Sequence, residues 1–125
     1  MPSTPILVVD DHPLNLKLAS LLLTVEGHEV RTAIDAAAAL NILESFMPRL
    51  ILMDVQMPRM DGLELTRLLK ANPVRSKIII VAMTSYAMKG DEEKFRAAGC
   101  DGYLAKPINT RTFAAQVQSF LTESE

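Results

Sequence analysis

Five polar residues follow closely on short apolar runs, and their types suit phosphate and metal chemistry. They are Asp10 with Asp11 after Ile6 to Val9, Asp54 after Leu50 to Met53, Thr84 after Ile78 to Ala82, and Lys106 after Gly102 to Ala105. Three carboxylates that lie close together raise each other's pKa values unless a cation neutralises them. Oxygen ligands without histidine or cysteine favour Mg²⁺, which uses few protein carboxylates and keeps several waters. A bound cation and Lys106 could hold phosphate oxygens while Asp54 attacks phosphorus, forming an aspartyl phosphate.

The apolar runs that precede these residues are predicted to be the strands of a sheet. Ile6 to Val9, Leu50 to Met53 and Ile78 to Ala82 are too short for buried helices and are rich in branched residues, which is typical of strands covered on both faces. His28 to Ala33 alternates polar and apolar residues, as an edge strand does. Gly102 to Ala105 is a weaker fifth strand.

Helical patterns separate and follow these strands. Asp35 and Asn109 are predicted to cap the second and fifth helices, and Gly27 and Gly99 to end the first and fourth. The residues predicted to face the core are Leu14, Leu18, Leu21, Leu22 and Val25 in the first helix; Ala36, Leu40, Leu43 and Met47 in the second; Leu65, Leu68 and Leu69 in the third; Phe95 in the fourth; and Phe113, Val117, Phe120 and Leu121 in the fifth.

Five successive strand–helix units predict an α/β domain in which helices cover both faces of a parallel sheet. Such sheets bind ligands at the carboxyl ends of their strands, which is where the polar residues collect. The chain of 125 residues is long enough for one domain with one substantial core.

Composition excludes several classes of protein. The net charge of −2 offers no basic surface for nucleic acid, and the single cysteine, Cys100, allows neither an internal disulfide nor a cysteine-based metal cluster. The sequence contains no apolar run long enough to span a membrane, and Met1 to Thr4 lack the features of a signal peptide. A cytoplasmic location is therefore expected.

The set Asp10-Asp11, Asp54, Thr84 and Lys106-Pro107 resembles that of response regulator receiver domains of two-component signalling, over essentially the whole chain. The loop from Met57 to Gly62 is similar to the loop that follows the phosphorylated aspartate in that family. The resemblance implies a single doubly wound, flavodoxin-like domain over residues 1–125, with a five-stranded parallel sheet in the order 2-1-3-4-5 and five helices. In the stretch from Ala87 to Asp91 and in its expected lack of an output domain, the chain resembles single-domain regulators of the cell-division type. Receivers within hybrid histidine kinases carry similar stretches.

The same resemblance implies a role for each residue of the set. Mg²⁺ would be bound directly by Asp11 and Asp54, largely through water by Asp10, and by the backbone carbonyl of Gln56. Asp54 would be phosphorylated by the phosphohistidine of a histidine kinase or a histidine phosphotransfer protein. Thr84 and Lys106 would sense the phosphoryl group.

Tyr103 would act as the switch aromatic, and Lys106-Pro107 would be a cis peptide beside it. A downstream protein would bind the face formed by the fourth helix, the fifth strand and the fifth helix. Gln56 and Tyr86 would border the approach of water to the phosphoryl group. Since neither is a carboxylate, we expect slow self-dephosphorylation, and a phosphoacceptor rather than an enzyme.

Three other functions fit the sequence less well. A phosphatase of the haloacid dehalogenase type places a second aspartate two positions after its nucleophile, whereas His12 stands two positions after Asp10. A pseudo-receiver would have lost site residues that this chain retains. A dinucleotide-binding domain would carry a glycine-rich turn after its first strand. His12, a loop histidine without a second histidine nearby, is interpreted as a poor metal ligand.

Overall fold

The computed structural model describes residues 4–57, 60–85 and 91–123. The apolar runs form five parallel strands in the order β2-β1-β3-β4-β5, which confirms the predicted fold class and strand order. The strands are β1 Pro5–Val9, β2 Glu29–Ala33, β3 Leu50–Asp54, β4 Ile79–Thr84 and β5 Gly102–Ala105. The helices are α1 Pro13–Val25, α2 Ala36–Leu43, α3 Gly62–Lys70, α4 Asp91–Ala98 and α5 Phe113–Glu123, with a 3₁₀ turn at Arg75–Lys77.

The central strands are apolar throughout because both of their faces are covered. Along β1, Leu7 and Val9 point to a core shared with α2, α3 and α4. Ile6 and Val8 point to a second core shared with α1 and α5. Burial on both faces explains why β1, β3 and β4 show no polar alternation. None of the described helices has the length and apolar character needed to cross a membrane.

The predicted inner face of α1 is wrong at three of its five residues, whereas Leu18 and Leu22 are partly buried. Leu14, Leu21 and Val25 are 80%, 61% and 75% exposed, and the buried residues of this helix are Leu16, Ala19 and Leu23. Leucines lie on nearly every side of α1, so apolar periodicity supports more than one inward face. Packing selects the face that carries the small Ala19, which lets the helix approach the sheet closely.

Two further residues predicted to face the core, Met47 and Leu68, are exposed. Met47 lies beyond the end of α2 at Leu43, and Leu68 lies on the outer side of α3 between the buried Leu65 and Leu69. The other inward residues of α2, α3, α4 and α5 are buried or partly buried, as predicted.

Strand register brings the polar residues to one edge of the sheet. Val9 of β1 pairs with Met53 of β3, so Asp10 and Asp54, the next residues along the two strands, become neighbours. Thr84 at the end of β4 pairs with Ala105 of β5, and the Lys106 backbone N–H donates to the Thr84 carbonyl over 2.8 Å. Asp10, Asp54, Thr84 and Lys106 therefore lie at the carboxyl ends of four adjacent strands.

Candidate functional site

A buried ammonium group joins two of the carboxylates. Lys106 Nζ lies 3.0 Å from Asp54 Oδ1 and 3.1 Å from Asp10 Oδ2. The side chains are almost fully removed from solvent, with 11% of Lys106, 1% of Asp54 and none of Asp10 exposed. Sequence reasoning placed these residues at one edge, and the structure brings them into direct contact.

The two carboxylate oxygens of Asp54 have different surroundings. Oδ1 accepts a hydrogen bond from the Gln56 backbone N–H over 3.0 Å and lies beside Lys106. Oδ2 is buried and accepts no hydrogen bond from any described residue. A buried acceptor without a donor is costly, so Oδ2 marks a position where a cation or another electrophile would be stabilised.

Asp10 and Asp11 also differ in how many of their carboxylate oxygens accept hydrogen bonds. Asp10 is held by protein donors on both sides, since Oδ1 accepts from the His12 backbone N–H over 2.9 Å and Oδ2 accepts from Asn15 Nδ2 over 3.3 Å. Asp11 Oδ1 is buried and accepts no hydrogen bond within the described residues, although His12 Nδ1 lies 3.0 Å away. The unpaired oxygens of the site therefore belong to Asp11 and Asp54.

Electrostatics distinguishes Asp10 from Asp54. Burial acts to raise the pKa of Asp10, but the His12 N–H and the Lys106 ammonium outweigh it and hold that pKa below its usual value. Burial raises the pKa of Asp54, and the nearby Asp10 adds to the rise, against the opposing effects of Gln56 and Lys106. Burial acts to lower the pKa of Lys106, but the carboxylates of Asp54 and Asp10 outweigh it and hold that pKa above its usual value. The ion triplet carries more negative than positive charge and favours a second cation.

The donor set fits a divalent metal ion. Asp10, Asp11, His12 and Asp54 each offer a ligand atom, and these atoms all lie within 4.8 Å of one another. Two of the four residues carry the unpaired carboxylate oxygens described above, and carboxylate oxygens suit Mg²⁺. Of Gln56, the structure shows the backbone N–H bonded to Asp54, and the role of its carbonyl stays a prediction.

Gly62 sets the approach of α3 to Asp54. A Cβ atom at Gly62 would overlap the backbone carbonyl of Asp54, which has no flexible end that could move aside. The preceding residue, Asp61, caps α3 by accepting the Glu64 N–H over 2.9 Å, and Thr66 Oγ1 donates to the Gly62 carbonyl over 2.7 Å. From sequence alone, Gly62 is indicated only as part of a loop.

The remaining predicted residues surround this centre. Thr84 is buried at the end of β4, and the Lys106-Pro107 peptide bond is cis. Tyr103 on β5 is 39% exposed, and its ring centroid lies 6.1 Å from that of Phe95 on α4. Tyr86, predicted to border the path of water, lies outside the described residues.

Sequence reasoning missed Asn15 and interpreted His12 only as a poor metal ligand. Asn15 on the first turn of α1 and the ring of His12 both contact Asp10. Their closeness in sequence to Asp10-Asp11 was the available signal. The direction in which the chain turns into α1 decides whether such neighbours point toward the carboxylates.

Comparison with known proteins identifies the family. Residues 6–118 match the family described as response regulator receiver domain. The chain belongs to this family. The receiver is 38% identical over 124 residues to the polar-differentiation response regulator DivK of Brucella anthropi, an alignment that covers 99% of this chain and 100% of that protein.

Solved structures agree with this assignment. The receiver superposes on the chemotaxis response regulator CheY4 of Vibrio cholerae with a TM-score of 0.90 at 28% identity, covering 95% of this chain and 99% of that one. A CheY-like receiver domain protein of Methanospirillum hungatei gives a TM-score of 0.86 at 32% identity, covering 98% and 97% of the two chains. The resemblance found in the sequence is confirmed, and the protein is a phosphoacceptor module of two-component signalling, homologous to CheY and DivK.

Proposed function

We propose that this receiver takes a phosphoryl group from a partner's phosphohistidine onto Asp54, with Mg²⁺ bound beside it, and that the phosphorylated form changes its protein-binding face. The observation that carries the proposal is the unpaired, buried Oδ2 of Asp54, a carboxylate whose other oxygen contacts Lys106 and which is grouped with Asp10 and Asp11. Such an oxygen is available to bind a cation or to attack phosphorus.

The metal ligands follow from which oxygens are occupied. Asp11 and Asp54 retain unpaired oxygens and would bind Mg²⁺ directly. Asp10 already accepts hydrogen bonds on both oxygens and would act through water. The Gln56 carbonyl would complete the protein ligands. Bound Mg²⁺ would neutralise the negative charge of the carboxylates and of the oxygens of the incoming phosphoryl group.

Transfer requires one bond to break and one to form. The phosphorus–nitrogen bond of the phosphohistidine breaks while a carboxylate oxygen of Asp54 bonds to phosphorus, and the imidazole leaves with the electron pair. Asp54 reacts as a carboxylate, so no residue of the receiver has to remove a proton. Lys106 Nζ, already 3.0 Å from Asp54 Oδ1, would stabilise the charge on the transferred group. The Thr84 hydroxyl would donate a hydrogen bond to the same group.

A route from the site to the surface supports a change of binding face. A cavity of about 350 Å³ has Thr84 and Gln56 on one side and Asp91, Lys94 and Phe95 of α4 on the other. Phe95 in turn contacts the ring of Tyr103. Movement of Thr84 toward a phosphoryl group would alter the packing of Phe95 against Tyr103. Tyr103 and Pro107 would then act as the switch residues. The affected surface is α4, β5 and α5, where a downstream protein would bind.

The donor would be a histidine kinase or a histidine phosphotransfer protein, met in the cytoplasm. The receiver would act as a phosphoacceptor and not as a turnover enzyme. Gln56 borders the site without offering a general base for water, so the phosphorylated state should persist for minutes or longer.

Phosphorylation with a small donor tests the proposal. Incubation with acetyl phosphate and Mg²⁺ should add one phosphoryl group, seen by intact mass, and Asp54→Asn should abolish the addition. Asp35→Asn is the matched control, because asparagine caps a helix as well as aspartate and Asp35 caps α2 far from the site. Phosphorylation of Asp54→Asn at the parent's level would refute the assignment. Steady hydrolysis of p-nitrophenyl phosphate by the parent would instead support a phosphatase.

A further inference from the structure

The ring of His12 turns back toward the site that follows β1. Its Nδ1 atom lies 3.2 Å from Asp10 Oδ1 and 3.0 Å from Asp11 Oδ1. The backbone N–H of the same residue donates to Asp10 Oδ1, which fixes the position of His12 relative to the carboxylates. None of the roles assigned to the site so far uses this imidazole.

A hydrogen bond does not account for the shorter of the two contacts. Nδ1 is near enough to Asp10 Oδ1 for a hydrogen bond, yet Asp11 Oδ1 is nearer and accepts none. Nδ1 therefore lies between two carboxylate oxygens, and in the tautomer that carries its hydrogen on Nε2 it has a lone pair available for a cation that they bind. An independent observation at the same place is the unpaired, buried Oδ2 of Asp54, a residue whose carboxylate offers a ligand atom within 4.8 Å of those of Asp10, Asp11 and His12.

The spacing matches that of neighbouring ligands around one cation. Two ligands at right angles, each about 2.1 Å from an octahedral metal ion, are separated by about 3.0 Å. Imidazole nitrogens also bind first-row metal ions at about 2.1 Å. The 3.0 Å contact from Nδ1 to Asp11 Oδ1, the oxygen proposed to bind the metal directly, matches that separation. The ring is 65% exposed, so water can accept the hydrogen of its other nitrogen.

We infer that His12 Nδ1 is a nitrogen ligand of the metal site and gives this receiver a preference for first-row transition cations, such as Mn²⁺ and Co²⁺, over Mg²⁺. The inference rests on the proposed function, because it requires a divalent cation at Asp11 and Asp54. Mg²⁺ gains little from exchanging an oxygen ligand for imidazole, whereas affinity for nitrogen increases from Mn²⁺ toward Co²⁺ and Ni²⁺.

Calorimetric titration of the parent and His12→Ala with Mg²⁺, Mn²⁺ and Co²⁺ tests the inference. The variant should fold, because His12 makes no side-chain cap bond to α1 and its backbone N–H stays in place. At about pH 8, where ordinary imidazoles are neutral, His12→Ala should weaken Co²⁺ binding by about tenfold or more and Mg²⁺ binding by less than about threefold. His28→Ala, which removes the other histidine of the chain, should leave both affinities unchanged.

Pulsed electron paramagnetic resonance of the Mn²⁺ complex gives a direct readout. The parent and His28→Ala should show coupling of Mn²⁺ to an imidazole ¹⁴N nucleus, and His12→Ala should lack it. Equal weakening of Mg²⁺ and Co²⁺ would show that His12 only positions the carboxylates, and unchanged Co²⁺ affinity would show that it is no ligand. Either result overturns the inference and leaves the proposed function standing. Failure of the parent to bind Mg²⁺ at all would overturn both.

Discussion

Removal of the Lys106 ammonium tests the electrostatic account of the site. The group is almost fully buried between Asp10 and Asp54, 3.1 and 3.0 Å from their oxygens. Lys106→Met keeps an unbranched chain in the space of the lysine stem and removes the charge alone. The buried carboxylates of Asp10 and Asp54 would then lose the ammonium that lies between them.

The expected loss of stability follows from burial. Removing one partner of a buried ion pair costs about 3–5 kcal/mol, because the remaining charge is left without compensation. Lys106 has two such partners, but one carboxylate can take up a proton, so we expect a loss of about 3 kcal/mol without metal. A domain of this size has a free energy of unfolding of about 5–15 kcal/mol and should still fold. Mg²⁺ should narrow the deficit, because it supplies positive charge to the same carboxylates and binds more tightly without a competing ammonium.

The deficit should also depend on pH in a defined direction. The pKa of Lys106 is raised in the folded state, so its contribution is complete below its ordinary value of 10.5 and is lost only as pH rises through the raised value. The pKa of Asp10 is lowered, so its share is present above 3.8 and is lost as pH falls through the lowered value. Lys106 is protonated throughout the neutral range, so any change of the deficit there comes from the carboxylates, and the deficit of Lys106→Met should shrink as pH falls and they become protonated.

Urea denaturation with EDTA and with Mg²⁺ measures these differences. Arg96→Met is the control, because it breaks an ion pair of 2.8 Å with Glu92 that is largely exposed, and such pairs contribute less than about 1 kcal/mol. A cost for Lys106→Met no greater than for Arg96→Met would refute the account of a buried ion triplet. A deficit that Mg²⁺ leaves unchanged would show that Lys106 and the cation do not act on the same carboxylates.

Three further predictions concern other parts of the site. Gly62→Ala should weaken Mg²⁺ binding and slow phosphorylation, measured by titration and intact mass, because the added methyl group must displace the end of β3 or the start of α3; parent values for both would contradict this. Thr84→Ala should accept phosphate but lose the phosphorylation-dependent NMR shifts of α4 residues, and parent-like shifts would refute the coupling. Purified phosphorylated protein with Mg²⁺ and no kinase should decay over minutes or longer, and loss within seconds would show that Gln56 and Tyr86 do not limit the access of water.

The sheet and the edge that carries the site could be predicted from sequence because both depend on short-range patterns. A strand buried on both faces needs four or five apolar residues in a row, and β1, β3 and β4 show this directly. Parallel connection then places the residues after Val9, Met53 and Ala105 at the same edge. The pairing of Val9 with Met53 brings Asp10 beside Asp54, as the pattern required.

The orientation of side chains around single elements could not be predicted in the same way. In α1 the leucines support several inward faces, and the choice between Leu14 and Leu16 depends on how closely the helix packs on the sheet. The same limit applies to His12. The spacing of residues identifies a loop histidine, whereas the turn into α1 decides that its ring points back to Asp10 and Asp11.

The three aspartates of the site are not chemically equivalent, and their differences support Asp54 as the acceptor. Asp10 has donors on both oxygens and a lowered pKa, so it is a stable carboxylate with little capacity for a new bond. Asp11 has an unpaired oxygen but a partly exposed side chain, which suits a metal ligand. Asp54 combines full burial, one oxygen anchored by Gln56 and Lys106, and one oxygen without a donor. Burial also raises its pKa, and a more basic carboxylate is the better nucleophile once a cation keeps it ionised. Binding of a metal and activation of Asp54 would therefore be linked through the oxygen atoms of the same carboxylate.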